Sequence, residues 1–255
     1  MKSLRMFLLI CFLANSSLSI SQLYPFSDPI RLTGGNNDRN PSFANSREYD
    51  PYPGYEWEFM TFERISGNTS NICVSRIGVS GSVGEEYYIT SDSYINKNPS
   101  IAYNRATNVI GPEIKYAVIV WQSDRFGRQS IFASRYIKGA GWSVPFIVDS
   151  SNADNVTPKI CSIDSLRYSI VYQRGQDIMY KRYNILTNVF SPQGNTTMLI
   201  PEYCSNPNIK SVRFNSAGYS RIFVSFDREI AAGHTGVYFA TGWKIQYLLL
   251  ITLIV

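Results

Sequence analysis

Four segments of the chain are dense in β-branched and aromatic residues and end in a charged or polar turn: Trp57–Arg64, Tyr116–Arg125, Tyr168–Arg174 and Arg221–Arg228. Their nearly continuous apolarity predicts strands buried on both faces. After a turn, each is followed by a run with cleaner alternation, at Asn71–Arg76, Ser130–Tyr136, Asp177–Tyr183 and Gly236–Ala240. Alternation suits a strand with one face toward a neighbouring sheet and one partly wet. Before each strong run lies a proline in a polar setting: Pro41, Pro99, Pro158 and Pro207, at spacings of 58, 59 and 49 residues. A fourth element, Gly141-Trp142-Ser143-Val144-Pro145-Phe146-Ile147, recurs as Gly242-Trp243-Lys244-Ile245-Gln246-Tyr247-Leu248. Pro145 cannot donate to a central ladder, which places this element outermost in its sheet.

A period of this length means stacked supersecondary units. Four strands per unit, short turns and no helical periodicity predict an all-β fold, a β-propeller of about four four-stranded blades over residues 40–97, 98–156, 157–205 and 206–255. A β-sandwich has no need of the fourfold copy. Four blades are at the small end of what propellers use, so the ring either closes tightly or stays open and incomplete. An open array exposes strand edges and favours self-association.

Outside the repeats, residues 1–21 carry Lys2 and Arg5, then the apolar run Met6 to Ala14, then the small residues around Ser17 to Ser21. That is the layout of a secretory signal, expected to be cut after Ser21 with Ser19 the alternative, and it predicts a secreted or cell-surface chain over 22–255. The apolar run is too short for a stable transmembrane span, which needs about 20 residues. Removing Lys2 and Arg5 lowers the formal charge from +5 to +3 with no basic run left, so no nucleic-acid partner is expected. The terminal Leu248–Val255 run reads as a final strand, a lipid-anchor signal or the cut end of a longer propeller, and the last is the favoured expectation. Cys11 falls in the signal; Cys73, Cys161 and Cys204 match no metal spacing and read either as buried small hydrophobes or as one disulfide plus a thiol.

At Trp121-Gln122-Ser123-Asp124-Arg125-Phe126-Gly127-Arg128-Gln129-Ser130-Ile131-Phe132 the second repeat resembles the Trp-x-Ser-x-Arg-x-Gly blades of extracellular bacterial propellers, sialidase-like and TolB-like. Many of these are exported by the type IX route in Bacteroidetes. The resemblance implies a blade and says little of activity, because such folds host many functions. The sialidase Asp-box, Ser-x-Asp-x-Gly-x-x-Trp, is approached by Ser123-Asp124 and Gly127 but with different spacing. The Phe-Arg-Ile-Pro segment of that family is missing, Phe62-Glu63-Arg64-Ile65 being only an echo.

The candidate chemistry sits at the strand ends. Glu63-Arg64, Asp124-Arg125 and Asp227-Arg228 fall at one place in three repeats, and Arg174 follows Gln173 in the other. Arg64, Asp124, Arg125, Arg174, Asp227 and Arg228 are therefore the candidate ligand-binding residues, since arginine presents a fork that suits a carboxylate or sugar acid. The simpler reading is turns and cross-strand ion pairs, with Arg76, Arg135 and Arg182 as neighbours. His234 alone supplies no nucleophile system and reads as a turn residue; no catalytic residue, metal or cofactor is expected. Asp124, Gly127 and Asp154 carry oxygen ligands of the kind calcium takes, and turn chemistry explains them equally. Asn68, Asn155 and Asn195 match glycosylation acceptors, and Tyr49, Tyr52 and Tyr55 are rings able to stack on sugars. The expected function is a secreted, non-enzymatic module that binds or scaffolds glycans or surface proteins. The alternatives are a sialidase-like glycoside hydrolase, or a non-functional fragment of a longer propeller protein.

Overall fold

The computed structural model describes residues 31–35, 37–44, 57–78, 82–106, 114–164, 166–191, 197–200, 203–213, 220–231, 234–243 and 252–254. The signal segment 1–21 and Tyr49, Tyr52 and Tyr55 lie outside them. Two compact units divide the chain at Leu32, and every described strand lies in the second, Thr33–Val255.

Four antiparallel sheets follow one another along the chain. The first holds β1 (Asp38–Ala44), β2 (Trp57–Ser66), β3 (Thr69–Gly78) and β4 (Val83–Tyr88), in that spatial order. The second holds β5 (Asn96–Ala106), β6 (Ile114–Ser123) and β7 (Ser130–Ile137), with β8 (Gly141–Trp142) and β9 (Phe146–Asp149) both against β7. The third repeats this with β10 (Asn155–Ser162), β11 (Arg167–Arg174), β12 (Asp177–Asn184), β13 (Val189–Ser191) and β14 (Thr197–Ile200), the last two both against β12. The fourth holds β15 (Cys204–Arg213), β16 (Ser220–Ala231), β17 (His234–Trp243) and β18 (Thr252–Ile254). No helix occurs among the described residues, and the four meanders form a propeller-type array whose sheets do not close into a ring.

The period of two explains why the second strands are apolar throughout. In β6, Ala117, Ile119 and Trp121 join a core with Phe59, Ile72 and Val74 of the first sheet. The alternate residues Tyr116, Val118 and Val120 join Ile160, Tyr168, Ile170 and Tyr172 of the third. A third core links Val171, Ile178 and Tyr180 to Ile209, Ile222, Val224 and Phe226 of the fourth. The second and third sheets are thus walls between two cores, and consecutive blades are held mainly by apolar burial.

Two sequence expectations are corrected. Gly141–Trp142 is outermost in its sheet, but the strand is split around Pro145 into β8 and β9. Its apparent copy Gly242-Trp243 instead ends the third strand, where Trp243 pairs with Arg221 and Gly242 with Ile222. The physical reason is length: β17 runs ten residues against β16, and the outer position is taken by Thr252–Ile254. His234 pairs with Ala231 beside the β16–β17 turn.

Cys73, Cys161 and Cys204 are buried thiols, which fits the small-hydrophobe reading rather than the disulfide. Burial pushes the Cys73 thiol up to about 12 and raises that of Cys204. Thiolate is the reactive form, so both are expected to resist maleimide at pH 8 in the native chain and to react fully in urea. Rapid native labelling, followed by mass spectrometry of the two peptides, would contradict this packing.

Candidate functional site

Each first strand enters its sheet through the same irregularity. Register shifts between Arg39 and Ser42, Lys97 and Ser100, Val156 and Lys159, and Ser205 and Asn208 mark a bulge at the repeated proline. The residue before each proline is left-handed: Asn40 at φ 52°, Asn98 at 52°, Thr157 at 49° and Asn206 at 50°. Such a conformation costs energy outside glycine and persists where the surroundings over-determine it. The bulge tolerates proline because the ladder is already interrupted there.

What holds the bulge is an acceptor near the end of the second strand. Glu63 Oε1 accepts the Asn40 Nδ2 at 2.7 Å within its own blade and the Asn98 backbone N–H of the next blade at 2.5 Å. Gln122 Oε1 likewise accepts the Asn98 Nδ2 at 2.9 Å and the Thr157 N–H at 2.8 Å. Gln173 Oε1 receives the Asn206 N–H at 3.4 Å, and Asp227 Oδ2 the Asn206 Nδ2 at 2.9 Å. The Glu63 side chain is wholly buried and also meets Arg39 Nε at 3.0 Å. Single-sequence reading missed these interblade staples; the signal was the recurrence of Glu63, Gln122, Gln173 and Asp227, one residue ahead of Arg or Ser.

Of the candidate arginines, Arg64 is committed to acids of its own blade, and Arg174 to an acid of the preceding one. Arg64 Nε donates to Asp38 Oδ1 at 2.9 Å and its Nη2 lies 2.8 Å from Glu86, with the guanidinium over Phe62 and Tyr88. Arg125 is ion-paired with Asp92 and lies over Tyr94 and Phe132. Arg174 meets Asp149 at 2.7 Å and Asn155 Oδ1 at 3.0 Å. Asp124 caps the Ile95 N–H at 2.8 Å, and its carbonyl closes a turn to Gly127, left-handed at φ 73°. Arg228 makes no hydrogen bond or ion pair among the described residues, and Asp227 only the one to Asn206. The acids pairing with Arg64 lie on β1 and β4, that of Arg125 lies just before β5, and that of Arg174 ends β9 of the second sheet. The expected neighbours are elsewhere: Arg76 donates to the Tyr136 hydroxyl at 3.2 Å and Arg135 to the Ile185 carbonyl at 2.7 Å.

The Asp38–Arg64 pair gives a pH-dependent expectation. The hydrogen bond from Arg64 holds the Asp38 carboxyl below the usual carboxylate value. A group depressed in the folded chain stabilises it above the unfolded value of about 3.9, and the contribution is lost as pH falls through the lower folded value. Asp38→Asn is therefore expected to cost about 1.5–3 kcal/mol at pH 7, typical of a hydrogen bond to a charged group. The deficit should shrink as the pH is lowered from 7 to 2. Urea melts of both proteins at the two pH values check this, and an equal deficit at both would contradict it.

Asp149 is the most crowded carboxylate described. It accepts the Tyr172 hydroxyl at 2.5 Å and the Ser151 N–H at 3.0 Å besides Arg174, and Lys181 Nζ lies 3.6 Å away. Lys181 also donates to the Val148 carbonyl at 2.6 Å, and burial lowers its pKa. Among the described residues no group of three or more His, Cys, Asp or Glu is placed to hold a metal. Asp154, like Asp124, caps a backbone N–H, that of Gln129 at 2.8 Å. Of the glycosylation acceptors, Asn68 lies in an exposed turn, Asn155 is buried, and Asn195 lies outside the described residues. A shallow cleft of about 260 Å³ on the third sheet is lined by Arg167, Arg182 and Ser191, with Arg167 already paired to Asp164 at 2.6 Å.

Exposed rings gather where the arginines are. Tyr88 lies under Arg64; Tyr94 lies under Arg125, with Phe126 stacked on Phe132 beside it; Tyr203 immediately precedes Cys204, which pairs with Arg228. All four rings are exposed. They stand at the end of the first, second and fourth sheets where the first strand begins and the second strand ends.

Fold and edge together define a propeller-type repeat protein with an aromatic–arginine rim. No family model matches the sequence, and no curated protein does. Among solved structures, the chain is similar to the catalytic domain of Coprinopsis cinerea GH62 alpha-L-arabinofuranosidase, at 13% identity over 86% of this chain and 70% of that one, TM-score 0.42. It is also similar to TolB from Acinetobacter baumannii, at 15% identity over 75% and 52% of the two chains, TM-score 0.25. No helix among the described residues is long and apolar enough to cross a membrane.

Proposed function

We propose that the chain is a secreted, non-enzymatic binding module whose aromatic–arginine edge docks glycans. The observation that carries this is the recurrence of exposed rings, Tyr88, Tyr94, Phe126 and Tyr203, beside arginines at one end of three blades. Rings held against a guanidinium are fixed in orientation, and they offer apolar faces on which the C–H face of a sugar stacks. The buried carboxylates Glu63 and Asp149 serve the fold, each already receiving three or more donors or cations. Arg228 and Asp227 remain available beside Tyr203 for an anionic group of a sugar acid or its hydroxyls.

The test is binding of residues 22–255 to immobilised neutral and acidic oligosaccharides, with release of reducing ends measured in parallel. Binding without release is expected. Tyr94→Ala, Phe126→Ala and Tyr203→Ala should each weaken it about two- to tenfold, from roughly 0.5–1.5 kcal/mol per aromatic contact. Steady release of reducing ends would replace this reading with the hydrolase alternative. Export belongs to the same proposal, and the exported chain is expected to begin at Gln22.

A further inference from the structure

The contact between consecutive blades is built three times from the same parts. One part is the bulge N–H of the following blade, from Asn98, Thr157 or Asn206, given to the acceptor of the preceding one. The second is the residue two after the proline, Ile101, Ile160 or Ile209, which lies 4%, 6% and 5% exposed in the three cores. The third is a pair on the third strand of the preceding blade. In register with the acceptor and the residue two before it stand Ile72 and Val74, Ile131 and Ala133, and Ile178 and Tyr180. All six are buried.

The two ends of the array carry the two halves of this contact with no partner between them. On the fourth blade the equivalent pair is Val237 and Phe239, opposite Asp227 and Ser225, and these are 82% and 42% exposed. Among the described residues the acceptor Asp227 receives only the amide of its own blade. On the first blade the residue two after the proline is Phe43, 50% exposed against about a tenth of that for its three counterparts. Among the described residues no side chain accepts the Asn40 N–H as Glu63, Gln122 and Gln173 accept those of Asn98, Thr157 and Asn206. Apolar cores join the first sheet to the second, the second to the third and the third to the fourth, and no core of described residues joins the fourth to the first.

We infer that the fourth blade of one molecule docks on the first blade of a second copy of this chain, head to tail, through the interface that the chain already uses internally. The occupant is a second copy because its first blade offers what Asp227, Val237 and Phe239 lack, a bulge N–H at Asn40-Pro41 and an apolar side chain at Phe43. The two surfaces differ, so the contact is heterologous and propagates, giving oligomers that grow with concentration. This association shares Asp227 with the aromatic–arginine edge and none of its rings.

Sedimentation velocity of the full chain over micromolar to hundreds of micromolar concentration tests it, with Phe43→Glu blocking one end and Val237→Glu the other. Both positions are exposed, and unchanged melting temperatures confirm that the variants fold. The wild type is expected to show masses rising with concentration, and each variant alone to stay monomeric. The two variants mixed one to one should form a dimer and stop there, because only one productive pair of ends remains. Asp227→Ala, which removes only the acceptor, should weaken association about tenfold. A wild type monomeric throughout would overturn the inference. So would Phe43→Glu dimerising alone while Val237→Glu does not, which is the signature of fourth blade against fourth blade.

Discussion

Glu63→Ala is expected to destabilise the chain by about 3–5 kcal/mol, chiefly from stranding two amide donors at roughly 1–3 kcal/mol each. The Glu63 carboxylate has no solvent exposure and receives Arg39, the Asn40 amide and the Asn98 backbone N–H, the last from the next blade. Alanine leaves these donors facing a cavity, and the left-handed Asn98 loses the contact that fixes it. In a chain of this size the change corresponds to a melting temperature lower by about 6–20 °C. Glu63→Gln is the informative control. Gln122 performs the same task in the second blade with an amide oxygen, so Gln at 63 keeps both amide contacts and loses only the ion pair to the exposed Arg39. That pair is of the surface kind, and the loss is expected to stay within about 1 kcal/mol. Equal losses for Ala and Gln in urea denaturation would mean that charge matters here rather than the staple.

Trp121→Ala is the second large effect, at about 3–5 kcal/mol for emptying an indole-sized space in a close-packed core. Trp121 is fully buried between the first and second blades and stacks on Phe132 at 6.1 Å between centroids. Its Nε1 donates to Asn96 Oδ1 at 3.2 Å. Asn96 in turn ties the blades together, its Nδ2 donating to the Ser70 carbonyl at 3.0 Å and its own carbonyl accepting the Ser70 hydroxyl at 2.7 Å. Trp121→Phe retains most of the apolar contact but strands the Asn96 oxygen, and is expected to cost about 1–3 kcal/mol. Thermal and urea unfolding of the pair separate the packing contribution from the hydrogen bond. A Phe variant as damaged as the Ala variant would place the indole N–H, rather than its volume, at the centre of the contact.

The elements most visible in the sequence are those whose physics is local. The runs at 57–64, 116–125, 168–174 and 221–228 are dense in apolar residues, and β2, β6, β11 and β16 fall on them, with β6 and β11 each facing two cores. The prolines marked the repeat, but the left-handed residue before each proline and the bulge around it were not legible. Their cause is an acceptor 21 to 35 residues away in sequence, such as Asp227 for Asn206 or Glu63 for Asn98. The same holds for the arginines. Their type and place were readable, whereas their partners Asp38, Asp92 and Asp149 come from strands or loops 25 to 33 residues earlier. The misplaced Gly242-Trp243 shows the limit of short matches. Two residues resemble Gly141-Trp142, yet the longer hairpin of β16 and β17 carries them into the third strand. Exposure of Tyr94, Phe126 and Tyr203 was equally hidden, since an aromatic residue in a β-rich chain is most simply core until its neighbours are placed.

The claim on which the rest depends is that each blade is latched to the next through the N–H at the proline bulge. Amide hydrogen exchange at Asn98 and Thr157, followed by NMR in the wild type, Glu63→Ala and Gln122→Ala, tests it most directly. Both amides are expected to be protected in the wild type, with Glu63→Ala releasing Asn98 while Thr157 stays protected, and Gln122→Ala doing the reverse. Fast exchange of both amides in the wild type, or release of both by either variant, would contradict a blade-by-blade latch.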